Sequence, residues 1–162
     1  MRLVLVLMVF AYSAASAADF RTLDIGDSCE SVPAREQVLA STKVSWNAPE
    51  GIIYAFHGNA FDRDLLFTYF CPKGHLFTGN YYFPVEDAEK LQETYRDIRR
   101  RLTSIYGSPD SSDLNSDSRQ RDAGIQMTTW KTAKLFVTMS IQPNHPNEER
   151  GHRIFVVVAK AI

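Results

Sequence analysis

The chain is short of cysteine, of long apolar runs and of any excess of one charge, and each shortage excludes something. Its 162 residues hold two cysteines, too few for a disulfide-stapled mini-protein or a multi-cysteine zinc centre. No stretch approaches the ~20 apolar residues of a membrane-spanning helix. Lys and Arg number 18 against 19 Asp and Glu, a net charge of −1. Neither nucleic acid nor an anionic membrane surface is therefore expected as the main partner. Glycine-rich phosphate loops, GxGxxG and Gly-x-Ser-x-Gly are absent. His57, His75, His145 and His152 fall at none of the paired spacings that hold zinc, so no metal and no cofactor are expected.

What is present begins with a processing signal over residues 1–18. Arg2 supplies the basic start, Leu3–Tyr12 the apolar run, and Ala15-Ser16-Ala17 a small-residue cleavage site. The remainder, 19–162, is expected to be one exported domain, periplasmic or secreted, with enough chain to bury a core. In an oxidising compartment Cys29 and Cys71 are expected to form one disulfide. Closing that loop restricts the unfolded chain by about 4 kcal/mol on the chain-entropy account.

Residues 85–106 organise the rest. Val85, Ala88, Leu91, Tyr95, Ile98, Leu102 and Ile105 recur at helical spacing, and Gly107 supplies the stop. A shorter helix is expected after Asp27 or Ser28, with Pro33 in or near its first turn and an end by Ser41. Lys43–Gly51 reads as an irregular connection. Ile52–His57 reads as a strand broken by Gly58-Asn59. Leu65–Cys71 and Phe77–Phe83 alternate as a hairpin around Pro72-Lys73-Gly74, with Phe67 opposite Gly79. Ser108–Asp122 is a Ser/Asp-rich loop, and Pro143–Gly151 another. Ile125–Lys131, Lys134–Gln142 and Arg153–Ala159 read as three further strands. The expected fold is α+β: a mostly antiparallel sheet of about six strands, with the long and the shorter helix on one face, in the order helix-β-β-β-helix-β-β-β.

Chemistry-bearing residues are sparse. His57 followed by Asp62 and Asp64 is a candidate acid–base group, since histidine titrates near neutrality. A small exported hydrolase built on them is one alternative function, although the same residues also suit an ordinary loop. Asp113-x-Asn115-x-Asp117 copies the start of a calcium loop, but Ser118 stands where glycine is needed and Gly124 where the bidentate Glu belongs. Arg99-Arg100-Arg101 matches ordinary cationic chemistry at a helix end. Among the aromatics, Trp46, Tyr54, Tyr82 and Trp130 are candidates for a partner surface.

Leu23-Asp24-Ile25-Gly26-Asp27-Ser28, the twofold helix-then-strands plan and Leu102…Tyr106-Gly107-Ser108-Pro109 resemble two kinds of small exported α+β protein. These are the β-lactamase-inhibitor-protein-like group and the small lipoprotein of the outer-membrane assembly machinery. The lipoprotein kind carries a lipidated cysteine after its signal. This chain has none, so the resemblance does not extend to a membrane anchor. It implies a non-enzymatic binding, inhibitory or scaffold module acting on another exported or envelope protein. A small-ligand carrier is a further alternative, and would need a concave apolar cavity between helix and sheet.

Overall fold

The computed structural model describes residues 19–44, 52–85, 87–110, 126–143 and 152–161. The signal over 1–18, Trp46, the calcium-loop-like run at 113–117 and most of both polar loops lie outside them. The frame is one antiparallel sheet of seven strands: β1 (Thr42–Val44), β2 (Ile52–Ala60), β3 (Arg63–Cys71), β4 (Thr78–Val85), β5 (Met127–Lys131), β6 (Leu135–Pro143) and β7 (His152–Lys160). Their order across the sheet is β1-β2-β3-β4-β7-β6-β5. Among the described residues two helices accompany it, α1 (Val32–Val38) and α2 (Ala88–Tyr106).

This overturns the expected fold class. A six-stranded plan with two helices as its framework is replaced by a seven-stranded sheet in which strand outweighs helix. The added strand is β1, inside the segment read as an irregular connection, where Thr42 and Val44 pair with His57 and Ala55. The shorter helix spans only seven residues, preceded by a 3-10 turn at Cys29–Ser31. Val85 belongs to β4 rather than to the long helix, because Asp87 caps α2 by accepting from the Glu89 amide at 2.9 Å. Gly107, at φ 87°, ends it.

Strand β2 runs straight through Gly58-Asn59 to Ala60, where a two-residue turn at Phe61-Asp62 returns the chain into β3. Both turn residues have φ 57°, the twist-matched geometry of a tight hairpin. The β3–β4 register also differs from expectation. Tyr69, not Phe67, faces Gly79, and Phe67 faces Tyr81. The cause is the N-terminal segment, which draws residues 75–76 off the hairpin. The Leu76 amide donates to Asp27 O and the Gly26 amide to Leu76 O, both at 2.8 Å. The slip is two residues, so every side chain keeps its face.

On one face the register aligns Trp130, Val137, Val158, Gly79, Tyr69 and Tyr54 across six strands. A second row there is Thr128, Met139, Val156, Tyr81, Phe67 and Phe56. Leu91, Tyr95, Ile98 and Leu102 of α2 join these residues in one core, and the Tyr95 hydroxyl lies 2.7 Å from Thr128 Oγ1. Phe20 lies on Gly79, its ring centroid 5.0 Å from that of Tyr69 and 4.7 Å from that of Tyr81. The disulfide Cys29–Cys71, with Cα atoms 6.4 Å apart, ties the N-terminal segment to the end of β3. No helix among the described residues is long and apolar enough to cross a membrane.

Candidate binding face

The opposite face of the sheet is where exposed aromatic surface collects. Strand alternation sends every second residue to this side, and the pairing register sorts them into rows. One row reads Lys131, Phe136, Ala159, Thr78, Phe70 and Ile53. The next reads Thr129, Thr138, Val157, Asn80, Thr68, Ala55 and Val44, without an aromatic. The third is Met127, Ser140, Phe155, Tyr82, Leu66, His57 and Thr42. Larger rows thus border a row of small side chains. Thr129, Thr68 and Ala55 in that middle row are buried, and Asn80 Nδ2 donates to Thr68 Oγ1 at 3.0 Å. The result is a shallow trough running across the strands.

Its borders are built from ring pairs. The Tyr82 and Phe155 rings meet at a tilt of 36° with centroids 4.8 Å apart, and the Arg153 guanidinium lies 5.9 Å from the Tyr82 ring centre. Phe70 and Phe77 meet edge-on at 6.2 Å. Phe77 and Phe136 are 59% and 41% exposed, large for phenylalanine. Asp64 is the one carboxylate on the strand positions of this face among the described residues. Arg153 and Lys131 carry the opposite charge, and neither forms an ion pair with a described residue. The Arg153 Nε is buried without a hydrogen-bond partner. The face is aromatic and slightly cationic, a composition suited to taking up an apolar, acidic surface.

The residues singled out in the sequence fall in different places. Tyr82 is half-buried on this face. Tyr54 is half-buried on the helix-covered side, against the core. Trp130 has no exposed surface and belongs to that core, which removes it as a partner-surface residue. It alternates to the covered side because it pairs with Val137. Trp46 lies outside the described residues. His57 is exposed on the open face, and no hydrogen bond or ion pair joins it to Asp62 or Asp64. Asp62 instead accepts from Arg101 at 2.9 Å, within a chain of charges that includes Asp97, Arg100 and Arg63. Of the arginine run, Arg101 thereby fastens α2 to the β2–β3 turn, while Arg100 pairs within the helix with Asp97. No group of three or more His, Cys, Asp or Glu is placed to hold a metal among the described residues.

Comparison with protein-family models, with curated proteins and with solved structures finds no match. The functional reading therefore rests on the geometry.

One charged site escaped the sequence reading. Glu36 is fully buried, while its helix neighbours Val38 and Leu39 are exposed, the reverse of their hydropathy. Arg21 grips the carboxylate with Nε at 3.0 Å and Nη2 at 3.1 Å. Ser41 Oγ donates at 2.7 Å, and the Tyr69 hydroxyl also donates. The guanidinium stacks 3.7 Å from the Phe67 ring centre and reaches Asn59 O at 3.3 Å. Burial pushes the Tyr69 phenol well above its usual range, and the bond to Glu36 pushes the same way. Burial works against the Arg21 charge, but Glu36 outweighs it and holds the guanidinium more firmly protonated. Each carboxylate oxygen has two donors, so the cluster fastens residues 21–41 to β3 and leaves no lone pair directed at a substrate. The available signal was a glutamate in an apolar helical stripe with an arginine fifteen residues before it.

Proposed function

We propose that the protein is an exported, non-enzymatic binding module whose open sheet face takes up another exported or envelope protein. The observation that carries this is the aromatic, sparsely acidic trough on the side of the sheet away from α2. Isolated exposed apolar residues are ordinary, but a contiguous set bordered by polar groups marks an interaction surface. Tyr82, Phe155 and Arg153 supply the residue types that most often anchor such contacts. The disulfide supports an oxidising location, where a pair such as Cys29–Cys71 persists. The resemblance to inhibitor-like and assembly-machinery proteins points the same way.

The test is capture from an envelope extract with the intact protein and with a Tyr82→Ser/Phe155→Ser variant. A partner retained by the intact protein and lost by the variant supports the reading. Identical capture by both, or none by either, refutes it.

A further inference from the structure

We propose that the Lys131 end of the trough is a binding site for a single-chain anionic amphiphile, a fatty-acid-type carboxylate taken up as a monomer. The site is a groove of about 710 Å³ lined by Phe77, Lys131, Phe136, Ala159, Lys160 and Ala161. The register explains its shape. Phe136 on β6 and Phe70 on β3 stand in one row, separated by Ala159 on β7 and Thr78 on β4. Three interstrand steps of ~4.8 Å put the two rings ~14 Å apart, with only small side chains between them. Phe77 packs edge-on against Phe70 and extends that wall. A floor of small side chains between two aromatic walls accepts a methylene chain.

The headgroup follows from charge. Lys131 stands in the same row as Phe136 and Ala159, while Lys160 lines the groove from a strand position on the covered side, opposite Leu135. Both are exposed, no carboxylate of a described residue lines the groove, and neither lysine makes an ion pair with a described residue. The Lys131 ammonium beside an apolar groove, with Lys160 at its rim, complements a carboxylate at the end of a chain. A neutral apolar ligand would leave the Lys131 charge unused, and a cation would be repelled. This differs from a carrier cavity between helix and sheet, because the groove lies on the sheet face away from α2. It also stands independently of the protein partner proposed above.

Isothermal titration of the intact protein with laurate, below the concentration at which laurate forms micelles, tests it. The expected result is saturable one-to-one binding that weakens with added salt. It should be at least tenfold tighter than binding of dodecyl maltoside, which has a similar chain and no charge. Lys131→Gln/Lys160→Gln should erase the preference for laurate while keeping the weaker maltoside binding. Phe136→Ser, at a position already 41% exposed, should weaken both ligands without loss of fold by circular dichroism. Absence of saturable laurate binding overturns the proposal. So does a lysine variant that binds laurate like the parent, or binding confined to phosphatidylglycerol vesicles. The Tyr82→Ser/Phe155→Ser variant separates the two readings, since it should lose its protein partner and keep laurate.

Discussion

Gly79 offers the sharpest test of how the core is assembled. It sits in the middle of the sheet between Tyr69 and Val158, and Phe20 lies directly on it. A Cβ added there would fall 2.1 to 2.4 Å from three atoms of the Phe20 ring, well inside contact distance. The ring would have to leave, and it is now 1% exposed. Overpacking of a tight core costs about 1–3 kcal/mol, and complete expulsion of a phenylalanine approaches the ~3–5 kcal/mol of its truncation. Alanine recovers about 0.5–1 kcal/mol of strand preference. Gly79→Ala should therefore lower stability by roughly 2–4 kcal/mol in urea unfolding with the disulfide intact, moving Tm by about 2–4 °C for each kcal/mol. In a Phe20→Ala background the same change should be neutral or stabilising by up to ~1 kcal/mol, since the obstacle is gone. The cycle isolates the contact. A cost below ~0.5 kcal/mol in the parent, or equal costs in both backgrounds, would refute the placement of Phe20.

Other outcomes follow from the charged and covalent fastenings. Glu36→Gln leaves the Arg21 guanidinium buried without its counter-charge and should cost about 3–5 kcal/mol by denaturant unfolding; a loss under 1 kcal/mol would mean the pair is not buried in solution. Removing the disulfide with Cys29→Ala/Cys71→Ala should cost about 2–5 kcal/mol by the same measurement. Burial raises the phenols of Tyr69, Tyr81 and Tyr95, and burial together with Asp19 raises that of Tyr106 to about 12. Protons are then held by the folded state after the unfolded chain has released them, so stability should fall as pH rises above about 10. Tyrosinate absorbance from these residues should appear together with unfolding rather than before it. Around Asp97, slight burial disfavours the charge, but Arg100 and Arg101 outweigh it and depress the carboxyl. Its contribution, less than about 1 kcal/mol for a surface network, should be present above the ordinary carboxylate range and lost as pH falls through the depressed value. Asp97→Asn should flatten that acid limb in a pH series of Tm.

Periodicity made parts of this structure readable. The apolar stripe from Leu91 to Leu102 places α2, Gly107 marks its end, and the alternation from Leu135 to Ile141 gives β6 with its faces correctly separated. The disulfide was legible from having only two cysteines. What failed depended on contacts between distant segments. The three residues of β1 are too few for a period, and only pairing with β2 makes them a strand. The β3–β4 register is set by backbone bonds from residues 26–27 to Leu76, nearly fifty positions away. Trp130 reads as a candidate surface aromatic until its pairing with Val137 fixes its side of the sheet. The trough is more remote still. Its rows exist only once six pairing registers are combined, so no single strand carries its signature.

The position of β7 bears on how this chain reaches its native state. The last described strand, β7, lies between β4 and β6 and bonds to both, while β4 and β6 are not neighbours in the sheet. Residues 78 and 159 must meet to join them, a closure with a long loop-entropy cost. Before His152–Lys160 is in place, β1 to β4 and β5 to β6 are two fragments with open edges. Assembly of the sheet therefore waits for the final strand, and folding should be slow and complete in one late step. A chain cut before His152 would lose the joint between its halves, leaving two incomplete sheets prone to pair with other chains.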